Sequence, residues 1–524
     1  MAAVYDAEKV RLLQSIYSIR NKLENQLSIE KTDVKAAQLV CNAVTKSAMH
    51  VFPGNIKGEE YLAYITVQCQ LERLSDLLEL KYGGKENALV DEEIRSATRF
   101  FMLNEALALV LAGLAKVTKM GDVFYLAPFD QGALEILRAT WFARWTDQNS
   151  HAATLALVTQ LNAQEVKITK AIPLIALRIL DQDLSIPWMK IDASTKLLKS
   201  VSEIYNVCSL VAALMYLSVQ NKQLNYFTPD ITQLGIDFSA VSNLMRYNAN
   251  SLLTDRFVVH ENGHLKVHVG SVSKGLRSYY LHLAQLHSEE DDLRLRVGGK
   301  FYEDNIRNKI ETDGDYTSRY RIADGFDRHK VLDEKELGEC DVEFIIHDHD
   351  LSHYYFVQIK HAILGEKAFF NAAISAVQSD FAKGLRQLRG AKRLLDEQRL
   401  EKTLAQRGIA NANSKNSTFI LIHNIAQFDY QITDDGICLY DWASFRNLLL
   451  DGEVMTGHSH SMDSVRRIRL PTPLNLNSPS NVIDRLLNEH PAYVKIRHQA
   501  WAAEHITTSY PIGNATITLT GLGI

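Results

Sequence analysis

The sequence predicts a multidomain α+β protein: a mostly helical N-terminal half, a winged-helix-like module and a C-terminal α/β domain. Three observations carry that reading. Apolar residues recur at helical spacing through the N-terminal region, an Asn-Gly pair separates two β-rich runs, and apolar strand-like runs flank a long helical stretch between Gly338 and His423.

The composition is that of a globular protein: 524 residues, 46% hydrophobic, 23% charged, net charge −5. A disordered chain, a collagenous repeat and a disulfide-dense mini-protein are excluded. At roughly 100–200 residues per domain, the length allows about three domains. Cys41, Cys69, Cys208, Cys340 and Cys438 are scattered and never form CxxC. They point to a reducing compartment and away from a structural zinc site. Asp6-Ala7-Glu8-Lys9 stands where a leader would be basic and then apolar. The longest apolar run, Ala106 to Ala115, is shorter than the ~18 residues a bilayer requires. A soluble cytoplasmic protein with no membrane partner is expected, and a nucleic-acid partner must be argued from local charge.

Residues 1–190 read as a helical region. From Tyr5 to about Asp122 the pattern is helical, with Val10, Leu13, Ile16, Tyr17 and Ile19 on one repeat and further stretches beginning near Thr32, Glu59 and Asp91. Thr32-Asp33 and Asp91-Glu92-Glu93 put caps and negative charge where helix N-termini favour them. A partner protein or a second copy of the chain is expected to dock through this half.

Residues 191–285 form the next unit. A striped segment from Leu197 to Leu217 precedes Pro229 to Gly235, then a helix from Ser239 to Leu253. Phe257-Val258-Val259 and Leu265 to Val269 flank Asn262-Gly263, a pair that tolerates the positive φ of a type I′ hairpin turn. The order resembles a winged helix-turn-helix, and Ser242, Asn243, Arg246 and Asn248 on its second helix are polar groups of the kind that reach base edges. Such modules also serve as protein-binding units and spacers.

Residues 290–455 carry the chemistry, and residues 456–524 read as a C-terminal extension with a helix over about Val482 to Glu504 and a strand over Ala515 to Leu519. Gly299-Lys300-Phe301-Tyr302-Glu303 opens a helical segment continuing through Ile306 and Ile310. On the strand beginning near Glu339, alternation puts Glu339, Asp341 and Glu343 on one face, and Cys340, Val342 and Phe344 on the other. On the next strand Phe356, Gln358 and Lys360 share a face opposite Val357 and Ile359. Paired as a hairpin, the two bring Asp341 near Gln358 and Lys360. Hard oxygen ligands of this kind suit Mg²⁺, and the lysine can help deprotonate a water or stabilise charge on a phosphate oxygen. A helix over about Ala372 to Leu404 and a strand from Phe419 to His423 follow.

Helix with Gly-x-x-x-Glu, hairpin with Asp and Gln-x-Lys, helix, then strand resembles the PD-(D/E)xK nuclease superfamily, the restriction-endonuclease-like fold, in its Mrr-like branch where glutamine replaces the second acid. The resemblance implies Asp341 as central metal ligand, Gln358 at the second position, Lys360 as catalytic lysine, Glu303 as helix-borne acid and the main-chain carbonyl of Ile359 as a further ligand. It implies Mg²⁺ or Mn²⁺ as cofactor, DNA as substrate and a prokaryotic restriction or anti-phage role. Two departures stand out: no proline precedes Asp341, and position 358 is an amide. A catalytically inactive DNA-binding or scaffold protein with the same fold is the alternative.

Between Phe381 and Ala410 eight basic residues stand against three acids. Arg386, Arg389 and Arg393 fall on one helical stripe and Leu385, Leu388 and Leu395 on another, so leucines would pack on the sheet while arginines meet a phosphate backbone. Arg466, Arg467 and Arg469 form a weaker basic cluster. The His347 to His353 run belongs to a hairpin tip, and His458 and His460 to a loop; both are expected to be structural. The chain has no Walker loop, GxGxxG or GxSxG motif.

Overall fold

The computed structural model describes residues 113–137, 152–184, 199–251, 256–267, 272–287, 319–327, 339–361, 381–425, 428–451, 453–457, 465–469, 476–489, 507–512 and 515–522, with isolated positions in 103–110, 139–140, 306–311 and 493–497. These residues form a mixed α+β structure.

Strands β1 (Ala115–Met120) and β2 (Val123–Pro128) form an antiparallel hairpin turning at Gly121, whose φ is +59°. This corrects the helical reading up to Asp122. Ala115, Val117, Phe124 and Leu126 are buried while Lys116, Thr118 and Tyr125 are exposed, which is the period of a strand.

Helices α1 (Ala152–Ala163), α2 (Ile168–Asp183) and α3 (Lys199–Val219) follow. Helix α3 is long and apolar enough to cross a membrane, yet 72% of that span is buried inside the protein, as befits a core helix. Helices α1 and α2 share its core, so the boundary placed at 190 cuts through one hydrophobic cluster. The same cluster takes in β3 (Leu224–Asn225), α4 (Thr228–Thr232), α5 (Phe238–Asn250), β4 (Val258–Glu261), β5 (His264–Val267) and α6 (Val272–Leu286). Asp237 caps α5, its Oδ1 accepting the Ser239 N–H at 2.9 Å. Asn262 and Gly263 turn the β4–β5 hairpin with φ of +52° and +83°, and the small sheet is ordered β3-β5-β4.

The main sheet has six strands ordered β10-β11-β9-β8-β7-β6. They are β6 (Tyr320–Asp327), β7 (Asp341–Asp348), β8 (His353–Ile359), β9 (Ser417–His423), β10 (Gln431–Ile432) and β11 (Cys438–Asp441). Strands β6, β7 and β8 are antiparallel neighbours, whereas β9 runs parallel to β8 and to β11. Helices α7 (Ala382–Asp396) and α8 (Glu401–Ala405) lie between β8 and β9 in the chain, in place of one helix to Leu404; residues 372–380 lie outside the described residues. Helix α7 buries Leu388, Leu394 and Leu395 against one sheet face. Helix α9 (Trp442–Asp451) begins directly after β11 and covers the other face with α10 (Pro479–Glu489).

The expected alternation along β7 fails at one point. Cys340, Val342 and Ile345 join the α7-side core, while Phe344 and Ile346 join the opposite one. Val342 and Phe344 therefore lie on different faces. Opposite this point the β6 backbone comes close: a Cβ at Gly325 would lie 1.8 Å from the Val342 carbonyl oxygen, nearer than any side chain allows.

The C-terminal segment is not an appendage. After the hairpin of β12 (Glu453–Gly457) and β13 (Val465–Arg469), α10 packs Val482, Ile483, Leu486 and Leu487 on the main sheet. The helix read over Val482 to Glu504 is observed as α10 to Glu489, with Tyr493, Val494 and Arg497 helical; the other positions between 490 and 504 lie outside the described residues. Strands β14 (Thr507–Ile512) and β15 (Ala515–Thr520) pair antiparallel, and β15 runs parallel to β2, giving the order β1-β2-β15-β14. The extension and the region before residue 190 thus share a sheet.

Polar contacts tie the α3-centred core to the main sheet, and others hold α2 to α6 within that core. Arg446 of α9 pairs with Asp181 of α2, and the His361 ring nitrogen Nε2 lies 3.4 Å from the Leu184 carbonyl. Ser273 of α6 donates to Asp183, and Arg277 donates to its carbonyl at 2.6 Å.

Candidate active site at the end of the β7–β8 hairpin

The β7–β8 ladder pairs Phe344 with Val357 and closes at Asp348 and His353. Beyond the last pair, at the open end, the Lys360 charge acts on Asp341. Gln358 is fully buried, Asp341 and Lys360 half-buried. Gln358 Nε2 lies 3.4 Å from the main-chain oxygen of Asp341. Asp341, Gln358 and Lys360 are therefore neighbours, with Ile359 between the latter two and its side chain in the core away from α7. Glu303 lies outside the described residues.

Helix α7 completes the site with groups that sequence reasoning did not single out. Gln387 Nε2 donates to Asp341 Oδ2 at 2.9 Å, and its Oε1 accepts from Gln358 Nε2 at 3.2 Å. One turn earlier, Gly384 lies against Lys360: a Cβ there would stand 2.9 Å from Lys360 Cγ and from Leu421 Cδ1. The missing side chain lets the lysine stem cross the helix. Lys383 is close enough to act on the Asp341 charge, and Asp327 is the direct partner of Asp341 across β6–β7.

Burial raises the Asp341 pKa and the facing Asp327 adds to it, while Lys360, the Gln358 bond and Lys383 pull it down. Two carboxylates opposite each other at a strand end repel. Two ammonium groups beside them make a place where a cation or a phosphate can be held.

The amide of Gln358 is oriented differently from the oxygen ligand the sequence suggests. Its Oε1 accepts the Ile359 N–H at 2.8 Å, so the nitrogen, not the oxygen, faces Asp341. Among the described residues no three of His, Cys, Asp or Glu stand together as a metal-holding group. Asp341 and Asp327 are the residues that could hold a hard cation such as Mg²⁺ or Mn²⁺. Mg²⁺ needs only one or two carboxylates and keeps several waters, so this donor set fits it.

The basic stripe is engaged within the protein. Arg386 Nε pairs with Glu339 at 2.9 Å, Arg389 Nε with Asp435 at 2.7 Å, and Arg393 Nε stands 4.0 Å from Glu397. Each remains about half exposed, but the picture of arginines turned only to a phosphate backbone is corrected: two of them brace α7 against the ends of neighbouring strands. On α5, Asn248 is buried and donates to the Val258 carbonyl at 2.7 Å, so it cannot reach a base; Asn243 donates to Glu203 at 2.9 Å.

At the hairpin tip, Asp348 is fully buried and takes both Arg319 Nε and Nη2, at 3.0 and 2.7 Å. It also accepts the N–H groups of Asp350 and Leu351. His347 stacks on Tyr354, and His353 bonds Thr418 at 2.8 Å. This is turn architecture. His458 and His460 lie outside the described residues.

Compared with protein families, curated proteins and solved structures, the chain matches none.

Proposed function

We propose that the protein is a metal-dependent nuclease that hydrolyses phosphodiester bonds of DNA. The observation that carries this reading is the meeting of Asp341 and Lys360 at one end of a hairpin, with Gln358 and Gln387 between them. The element order around them supports a restriction-endonuclease-like domain: helical positions 306–308 and 310–311, antiparallel strands β6, β7 and β8, helix, parallel strand.

In this reading Lys360 stabilises negative charge on the phosphate oxygens as water adds to phosphorus and the bond to the leaving oxygen breaks. Lys383 holds the substrate backbone near the site. Asp341, with Asp327 facing it, would hold a divalent cation; when bound, that ion supplies Lewis-acid stabilisation and a water ionised near neutral pH. Gln387 fixes Asp341 Oδ2 in place.

The sheet order β3-β5-β4 with α3, α4 and α5 supports a winged helix. With Asn248 and Asn243 engaged internally, we assign it to spacing or protein contact, not base reading. A restriction or anti-phage role is the biological setting that this combination suggests, by analogy alone.

The alternative, an inactive scaffold, is favoured by one observation: Gln358 turns its oxygen to its own strand. Incubation of the purified protein with plasmid and Mg²⁺ or Mn²⁺, with an EDTA control, separates the two. Cation-dependent nicking or linearisation supports the nuclease; intact plasmid at all cation concentrations supports the scaffold.

A further inference from the structure

The bonds around Gln358 have a direction that the chemistry of their ends forces. The Ile359 N–H can only donate, so the Gln358 atom 2.8 Å away is oxygen. Its nitrogen then faces Gln387, whose facing atom must be oxygen, at 3.2 Å. The Gln387 nitrogen is left to meet the Asp341 carboxylate, which can only accept when ionised, at 2.9 Å. Both ends agree on one orientation. Neither amide can flip without setting oxygen against oxygen or N–H against N–H.

From this chain we infer that Gln387 is a positioning residue, and that an uncharged amide at 358 is a working part of the site rather than a lost acid. The inference deepens the proposed nuclease reading and, for its bearing on cleavage, rests on it. A carboxylate at 358 would set oxygen against Gln387 Oε1 and against the Asp341 main-chain oxygen, now 3.2 and 3.4 Å from Nε2. If Gln387 flipped to serve it, Gln387 Oε1 would turn to Asp341 Oδ2. A conflict arises in either arrangement. Chains of hydrogen bonds also polarise one another, so the loss at one link is felt at the carboxylate.

The test is a cycle of Gln358→Glu, Gln387→Lys and the double variant, read by plasmid cleavage with Mg²⁺ and by the thermal unfolding midpoint. Each single change should lower the cleavage rate at least tenfold and lower the midpoint. Gln358→Glu puts acceptor against acceptor, and Gln387→Lys sets a cation against the Gln358 N–H. The double variant should regain most of both, because the introduced ammonium donates to both carboxylates. Single variants that behave as wild type, or losses that simply combine in the double variant, overturn the inference.

Gln387→Leu is close in volume and keeps the fold separate from the polarity. It should lower kcat for cleavage and leave KM for plasmid unchanged; a loss confined to KM, or no loss, counts against Gln387. The unfolding arm needs no activity. A wild-type protein that never cleaves removes the nuclease reading, while the midpoint cycle still decides whether the amide chain exists.

Discussion

Arg389 grips both carboxylate oxygens of Asp435, Nε at 2.7 Å from Oδ2 and Nη2 at 3.2 Å from Oδ1. The pair spans from the middle of α7 to the turn between β10 and β11, so the basic helix is anchored by its charged face as well as by its leucines. Both partners remain more than a third exposed, which keeps the contribution small.

Arg389→Ala should therefore cost under about 1 kcal/mol near neutral pH, read from the urea midpoint. Arg389 holds the Asp435 carboxyl below its ordinary range. Stability from a depressed carboxyl is present above the unfolded pKa of about 4 and is lost as pH falls through the folded value. The gap between wild type and variant should close in acid; a constant gap down to pH ~2 would refute the cause. In DNA binding, Arg389→Ala should leave the salt dependence nearly unchanged, whereas Lys383→Ala should reduce the slope of log K against log salt by about 0.9.

Lys360→Ala should reduce cation-dependent cleavage by about a hundredfold or more, the scale for removing one group that meets developing charge, and Asp341→Ala should reduce it at least as much by removing a carboxylate that would hold the cation. Circular dichroism should stay native. Wild-type cleavage in either variant would end the assignment.

Two glycines of α7 should respond differently to a methyl group. At Gly390 a Cβ would fall 1.9 Å from the Glu339 carbonyl oxygen, a backbone atom that cannot step aside alone. Gly390→Ala should destabilise by about 2–3 kcal/mol as overpacking. At Gly384 the contacts are Lys360 Cγ and Leu421 Cδ1, which can shift. Gly384→Ala should cost less than about 1.5 kcal/mol in stability but lower cleavage by moving the Lys360 stem. Equal unfolding midpoints for the two variants would contradict this.

Arg446→Ala should cost about 3 kcal/mol, the low end for breaking a buried ion pair, because Arg178 stands 3.8 Å from the same Asp181 oxygen. Thermal unfolding checks it. A change within ~0.5 kcal/mol would mean the pair behaves as a surface one.

Gln358 and Lys360 are legible because alternation on β8 reports which residues share a face; Asp341 lies on β7 beyond the point where alternation breaks, and the order of the hairpin alone brings it to them. Gln387 and Lys383 stay hidden among arginines, since a helix face that packs polar groups against a strand end looks like any solvated face. Asp327 is lost with its whole strand, because Asp324-Gly325 interrupts the alternation of β6. The arginine stripe and its leucines are read correctly as helix faces. Their acid partners, Glu339 and Asp435, lie 47 and 46 residues away, beyond any local pattern. The same reason hides the sheet of β1, β2, β15 and β14, where residues near 123 meet residues near 516.

That parallel contact makes a noncovalent clasp around the chain between β2 and β15. A protease that nicks an exposed link within that span would leave two fragments still joined through the strand pair and through α10 on the main sheet. They should travel as one species in gel filtration and part only in denaturant. By the same logic, trimming residues 507–520 to isolate the main-sheet part would strip the neighbour from β2 and leave a row of unpaired backbone groups, an invitation to aggregate.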